Sequence, residues 1–195
     1  MALRAEIHHH SADVYLALER AAEFKSEYID GDIIGMAGGS RAHSLIAGNV
    51  LVALRAALRG RPCEVHGSDL RVGIAESSVY TYPDVSVVCG EPIFEDAAED
   101  TLLNPVVLVE VLSPTTEAYD RGLKFARYRL LPSLQEYLLV AQDRPSVEWY
   151  SRGEAGWLLR QADGLDAVVE LPSLGCTLAL AEIFAKVGLG PRRRP

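Results

Sequence analysis

Apolar and polar positions along the chain switch between helical and strand periods, and the switches predict an order of elements. Ser11 is placed to cap a short helix reaching Ala22, with Val14, Tyr15 and Leu18 on one face. Glu27 to Met36 holds two β-type runs around Asp30-Gly31. A tight turn needs positive φ, so that dipeptide predicts a hairpin. From about His43 to Arg59, Ile46, Val50, Ala53, Leu54, Ala57 and Leu58 follow helical spacing until Gly60 and Pro62 stop the helix. Cys63 to Ile74 and Tyr82 to Cys89 read as strands, and Val85, Val87 and Val88 make the second apolar enough for a central position. Glu91 to Asp100 holds five acids and no base and reads as an exposed loop.

Pro105 to Leu112 is the most strand-like stretch of the chain. A helix follows, beginning between Thr116 and Asp120 and ending before Pro132, with Leu123, Ala126 and Leu130 on one face. Beyond it come a strand over Leu134–Val140 and a hairpin of Val147–Tyr150 with Gly156–Leu159 around Arg152-Gly153. Val168–Leu171 and a helix near Ala181–Val187 close the pattern. Neither a repeat nor a dividing linker interrupts it. The expectation is one domain over residues 1–195, with 1–10 and 190–195 as flexible tails. Its class is α/β (α+β), a mixed sheet with few helices.

Composition changes the picture in three ways. The chain has 195 residues, 49% of them hydrophobic, enough to bury a full-sized core. Lys and Arg number 19 against 27 Asp and Glu, a net charge of −8. Proteins that grip nucleic acid through its phosphates generally present a positive surface. This balance therefore leans against a simple DNA-binding module, unless positive charge is gathered locally or a metal bridges carboxylate to phosphate. Cys63, Cys89 and Cys176 are odd in number and widely spaced, so neither a metal-ligand pair nor a disulfide framework is expected, which favours a reducing compartment. The longest uncharged apolar run, about Ala42 to Leu54, is too short to cross a bilayer. The first residues, with Arg4, Glu6, His8–His10 and Asp13, do not resemble a signal peptide. The expectation is a cytoplasmic protein without a membrane partner.

Candidate chemistry begins with Pro83-Asp84 at the start of one buried strand and Glu110 near the end of another. A carboxylate among Val and Leu is costly to bury alone. Two of them on adjacent strands could share a cation, and Mg²⁺ favours one or two carboxylates with waters and phosphate oxygens. The Val111 carbonyl would add a further oxygen. The alternative is a pair of strand-end acids satisfied by backbone or arginine. Alternation puts Glu110 on the face of Leu108 and Leu112, toward the layer covered by the next helix. Lys124 lies in that helix, where it could orient or deprotonate a water or offset charge on a phosphate. Residues 120–129 carry a local charge of +3, and Arg121, Lys124 and Arg127 could form a stripe meeting phosphate. Asp69, near Arg71, reads as an ion-pair partner. Trp149, Tyr150 and Trp157 read as hairpin packing or a dimer contact, and Arg192–Arg194 as a solvated tail.

Tyr82-Pro-Asp84-Val-Ser-Val-Val, Leu108-Val-Glu110-Val-Leu-Ser-Pro-Thr-Thr116, Tyr119-Asp-Arg-Gly-Leu-Lys124-Phe-Ala-Arg-Tyr128 and Pro132-Ser-Leu-Gln-Glu-Tyr-Leu-Leu-Val140 occur in that order. Upstream stand Lys25-Ser-Glu27-Tyr-Ile-Asp-Gly31, Met36-Ala-Gly, His43 and Ser68-Asp-Leu-Arg71. Over roughly residues 12 to 188 the chain resembles the Uma-two family of bacterial proteins, within the PD-(D/E)XK nuclease superfamily. The resemblance implies a restriction-endonuclease-like core, a central mixed β-sheet flanked by helices, with an added hairpin region. Asp84 and Glu110 would be the catalytic, metal-binding acids, with Val111 as a further ligand. Lys124 would be the superfamily lysine displaced onto a helix, because Leu112 fills its usual slot. Glu27, His43 and Arg121 would be accessory or substrate-binding residues. The implied activity is Mg²⁺- or Mn²⁺-dependent cleavage of DNA to leave 5′ phosphates, and cutting both strands of a duplex would favour a two-fold homodimer. The alternative is a catalytically silent nuclease fold that binds nucleic acid or a protein partner.

Overall fold

Ser11 closes the first turn of helix α1 (Ala12–Ala21) by accepting the Val14 amide at 3.4 Å. The computed structural model describes residues 9–74 and 77–189. His8 and the Arg192–Arg194 tail lie outside the described residues. The buried face of α1 differs from the expected one: Tyr15, Leu16 and Glu19 point inward, whereas Val14 and Leu18 are about half exposed. The reason is polar. Glu19 accepts the Ser26 amide and the Tyr82 hydroxyl, each at 2.9 Å, so a charged residue occupies a core position that apolar periodicity does not register.

The predicted hairpin forms from β1 (Ser26–Ile29) and β2 (Asp32–Gly35), with Asp30 and Gly31 at φ 52° and 104°. Helix α2 (Arg41–Ala57) begins slightly before the expected start because Ser40 caps it, accepting the His43 amide at 3.1 Å. Its inner face is the predicted Ile46, Val50 and Leu54, each worth about 1.5–3 kcal/mol on full burial. The stretch expected as one strand, Cys63 to Ile74, breaks into β3 (Cys63–Gly67) and β4 (Arg71–Ile74), which enter different sheets. Then come β5 (Val79–Thr81), β6 (Val85–Cys89), the short β7 (Thr101–Leu102) and β8 (Val107–Val111).

After β8 the chain forms α3 (Glu117–Tyr119), a π-helical turn (Asp120–Lys124) and α4 (Phe125–Tyr128). Strand β9 (Glu136–Val140) leads into the hairpin of β10 (Ser146–Gly153) and β11 (Gly156–Asp163). That hairpin turns at Glu154-Ala155 and not at Arg152-Gly153. Arg152 stays in the ladder opposite Trp157, with its guanidinium 4.6 Å over the indole. A second hairpin, β12 (Val168–Leu171) with β13 (Cys176–Ala179), and helix α5 (Leu180–Ile183) complete the order.

Strands β11-β10-β9-β8-β6-β3 form a six-stranded sheet in which only β8 and β9 run parallel. One face, with Val85, Val87, Val107 and Val109, packs on α2, α5 and the β12–β13 hairpin. The opposite face, with Leu108, Tyr137 and Leu139, packs on Tyr128 and on β4 and β5 of a second sheet ordered β2-β1-β5-β4-β7. Cys63 and Cys89 face each other in the β3–β6 ladder and form a disulfide, which corrects the expectation of unpaired cysteines. Separation along the chain hides a pairing that strand register creates. Cys176 is free. Among the described residues no helix is long and apolar enough to cross a membrane.

Candidate active site

Strands β6 and β8 pair with Val85 opposite Val109, a register that continues to set Asp84 against Glu110. Alternation along β8 sends Val107, Val109 and Val111 into the α2 core and Leu108 and Leu112 to the other face. Glu110 goes with the leucines, as the sequence predicts, and is buried. Asp84 Oδ2 accepts the Val111 amide at 2.7 Å, and His43 Nε2, from the first turn of α2, lies 3.3 Å from the same oxygen. Glu110 Oε1 accepts the Tyr128 hydroxyl at 2.8 Å and has Lys124 Nζ at 2.8 Å. The Tyr128 hydroxyl also lies 2.9 Å from Thr81 Oγ1.

Lys124 is the centre of the group. Its ammonium lies 3.2 Å from Glu27 Oε1 and 3.7 Å from Asp120 Oδ1 besides its contact with Glu110. Glu27 reaches in from β1 and also accepts the Tyr82 amide at 3.3 Å. The π-helical turn carries both Asp120 and Lys124 inward, a local widening often found at functional sites. This overturns the expected helix face. Asp120, Lys124 and Tyr128, spaced four apart, are buried, while Leu123 is 68% exposed and Leu130 is also exposed. Asp120 and Tyr128 are thus members of the site that sequence reasoning missed. Their i, i+4, i+8 spacing around Lys124 was the available signal, and a search for apolar faces passes over it.

The structure brings Glu27, His43, Asp84, Glu110, Val111 and Lys124 together, but not Arg121. Its Nε lies 2.8 Å from Glu117 and its Nη2 3.0 Å from Glu148, on the hairpin side. Arg127 pairs with Asp30. The expected Arg121–Lys124–Arg127 stripe therefore does not exist, because each cation turns to a different carboxylate. Asp69 pairs with Lys25 at 2.7 Å, as an ion-pair partner should. Trp149 is buried in the hairpin, and Phe125 packs on Tyr150 with ring centroids 4.0 Å apart and edge-on to Trp157. Hairpin packing is their role in the fold.

Charge in this cluster is unbalanced. Burial pushes the Glu110 carboxyl up to about 8; Asp84 and Asp120 add to the rise and Lys124 opposes it. Burial likewise raises Asp120, again against Lys124. Desolvation would lower Lys124, but Glu110, Glu27 and Asp120 hold it well above the usual lysine value, so it is an ammonium at neutral pH. A hydrogen bond to Asp84 raises His43, with burial opposing. Four carboxylates thus face one lysine and one histidine, and the excess favours uptake of a proton or a cation.

The donor set suits an oxygen-seeking divalent ion. Among the described residues nothing hydrogen-bonds Asp84 Oδ1 or Glu110 Oε2, so each acid uses one oxygen within the protein and keeps the other. No three His, Cys, Asp or Glu side chains among the described residues could hold a metal by themselves. An ion here would complete its shell with the Val111 carbonyl, water and substrate oxygens, the habit of Mg²⁺.

Comparison with known proteins agrees with this architecture. A family model described as "Uma2: Putative restriction endonuclease" matches residues 12–181. Two uncharacterized proteins of Synechocystis sp. are similar over most of their length. The protein sll1609 is 41% identical over 161 residues, 82% of this chain and 91% of the relative; slr1290 is 39% identical over 175 residues, 89% and 90% respectively. A crystal structure of a "putative nuclease belonging to DUF820" from Anabaena variabilis superposes with a TM-score of 0.72 at 24% identity. It covers 90% of this chain and 98% of that one. The likeness bears out the expected restriction-endonuclease-like fold.

Proposed function

The chain belongs to the Uma2 family of restriction-endonuclease-like proteins, and from that premise we propose that it is a Mg²⁺- or Mn²⁺-dependent endodeoxyribonuclease. The observation carrying this reading is the meeting of Asp84, Glu110 and Lys124 from separate parts of the fold in one over-acidic cluster. Asp84, Glu110 and the Val111 carbonyl would hold the ion, which supplies Lewis-acid charge to the scissile phosphate. Lys124, held as an ammonium, orients Glu110 Oε1, positions the attacking water and offsets charge growing on the phosphate. Tyr128 fixes the same oxygen from the other side and keeps Oε2 free. Glu27 and Asp120 hold Lys124 in place. His43 keeps a proton on Nε2 against Asp84 Oδ2 and thereby orients that carboxylate. In-line attack of the water on phosphorus forms the new P–O bond as the bond to the 3′ oxygen breaks; the water's proton passes to solvent, the 3′ oxygen takes one up, and a 5′ phosphate is left. Cutting both strands of a duplex calls for two such sites, which motivates a two-fold homodimer, placed in the cytoplasm.

The test is Mn²⁺-dependent cleavage of supercoiled, linear, branched and single-stranded DNA by the wild type and Asp84→Ala. Cleavage by the wild type alone is the expected result; equal cleavage by both proteins removes the assigned site. A second reading, a silent nuclease fold that only binds, is favoured by one observation: three carboxylates already surround the Lys124 ammonium. Failure of the wild type to cut any substrate would favour it. A scattering mass of a monomer at high concentration would remove the dimer.

A further inference from the structure

Helix α2 links the candidate site to a second, oppositely charged place. From Ile33 through Cys63 this acidic chain contains no Asp or Glu, and Arg41, Arg55, Arg59 and Arg61 fall within that stretch. At the far end of α2 a cleft of about 440 Å³ is lined by Arg55, Arg59 and Arg61 together with Glu64 and His66 of β3. Most buried or bridging arginines elsewhere meet a carboxylate: Arg20 and Arg71 meet Asp100, Arg121 meets Glu148, and Arg127 meets Asp30. Those of the cleft do not, among the described residues. Arg55 gives its Nε and Nη2 to the Val65 carbonyl at 3.2 and 3.0 Å. Arg61 gives Nη1 to the Leu174 carbonyl and Nη2 to the Gly175 carbonyl, the latter at 3.2 Å.

Backbone carbonyls therefore hold two guanidiniums in position without cancelling their charge, and Arg59 stands exposed beside them. Glu64 is the one acid lining the cleft, and it is engaged with His66 at 3.1 Å. Pre-positioned, uncompensated guanidiniums are suited to phosphate, for which the planar fork of donors is a geometric match.

We propose that the Arg55–Arg59–Arg61 cleft binds a backbone phosphate of a nucleic-acid duplex whose scissile phosphate lies at Asp84 and Glu110. This inference rests on the nuclease reading of that site and adds the path of the substrate. His43, at the site, and Arg55, at the cleft, lie twelve residues apart on one helix, roughly 18 Å at 1.5 Å per residue. That distance corresponds to about five steps of B-form duplex at 3.4 Å each. The side of α2 between them, with Ser44, Gly48 and Val52 exposed, offers no carboxylate to repel a passing backbone. The cleft thereby supplies the locally gathered positive charge that a chain of net charge −8 needs to approach DNA.

The experiment measures binding, not cleavage. A fluorescent 20-base-pair duplex is titrated in Ca²⁺ with the wild type, Arg59→Glu, Arg59→Lys and Arg61→Ala across a salt series, with thermal unfolding as a control for folding. Arg59→Glu is expected to bind about tenfold more weakly and to lower the salt slope by roughly one. Arg59→Lys restores most of both, since a point charge retains phosphate contact. Unchanged affinity and slope in Arg59→Glu and Arg61→Ala, with folding intact, overturns the proposal, as does a wild type that binds no duplex. Inorganic phosphate or a nucleoside monophosphate that saturates the cleft without displacing duplex would assign it to free phosphate and overturn the duplex path. A wild type that binds through the cleft yet never cuts would sink the nuclease reading alone. A wild type that cuts with Arg59→Glu binding normally would sink this one alone.

Discussion

Among the described residues two cations are buried, Arg71 and Lys124, and their surroundings differ in kind. Arg71 gives Nε to Thr101 Oγ1 at 2.9 Å, Nη1 to the Tyr82 hydroxyl at 3.0 Å and Nη2 to Asp100 at 2.9 Å, with its guanidinium 5.7 and 5.8 Å from the Tyr15 and Tyr82 ring centroids. One charge meets one partly exposed carboxylate, and the remaining donors meet neutral oxygens. Lys124 instead meets Glu27, Glu110 and Asp120, with Asp84 near enough to raise Glu110 further. The matched network fastens β4 to β7 and asks for nothing more. The mismatched one leaves negative charge unspent among buried side chains, an arrangement that invites a ligand of opposite sign.

Removing each cation tests that difference. Lys124→Met leaves three buried carboxylates facing one another and should destabilise by about 3–5 kcal/mol, the largest effect expected. Mn²⁺ should recover more of its melting temperature than it adds to the wild type. Arg71→Met should cost somewhat less, about 3 kcal/mol, because Asp100 keeps Arg20 at 2.7 Å. Its melting temperature should not respond to Mn²⁺ more than the wild type does. Equal metal responses in the two variants would erase the comparison.

Glu110→Gln sharpens it through pH. In the folded protein the Glu110 carboxyl titrates at about 8, against about 4.3 in an unfolded chain. Between those values the folded state holds a proton that the unfolded state has released, so stability falls as pH rises across that window. His43, raised by Asp84, acts in the same direction: its contribution is present below its unfolded value and is lost as pH rises through the folded one. Denaturant midpoints of the metal-free wild type should therefore decline from pH 5 toward pH 8. Glu110→Gln should flatten most of that decline, and Mn²⁺ should do the same by taking the proton's place. A wild-type midpoint that rises over this window contradicts the charge assignment.

The smallest effects test which side of the 117–128 helical segment is buried. Tyr128→Phe, losing the hydroxyl between Glu110 and Thr81, should cost about 1–2 kcal/mol. Leu123→Ala, at an exposed position, should change stability by no more than about 0.5 kcal/mol. Urea midpoints decide it, and the reverse order would restore the apolar face predicted from periodicity.

Strands β6 and β8, the Asp30-Gly31 hairpin and α2 were legible because their signals are local: continuous Val and Leu, a turn that needs positive φ, and apolar residues at helical spacing. The segment around Lys124 was legible as a helix but not in orientation. Its inward side is polar, and nothing local says that Tyr128 will meet a carboxylate from β8 or that Asp120 will share Lys124 with it. The same limit hid Glu19 in α1 and the splitting of 63–74 between two sheets.

By itself, then, the sequence determined the element types, the buried strand that carries Glu110, and the order of motifs naming Asp84, Glu110 and Lys124. Those depend on backbone preferences and on family resemblance, both readable along one dimension. Only the tertiary structure decided which charges meet. It turned Arg121 to Glu148, Arg127 to Asp30 and Lys124 inward, and it joined Cys63 to Cys89. Ion pairs and disulfides depend on distances of a few ångströms between residues tens of positions apart. Strand register and helix rotation set those distances.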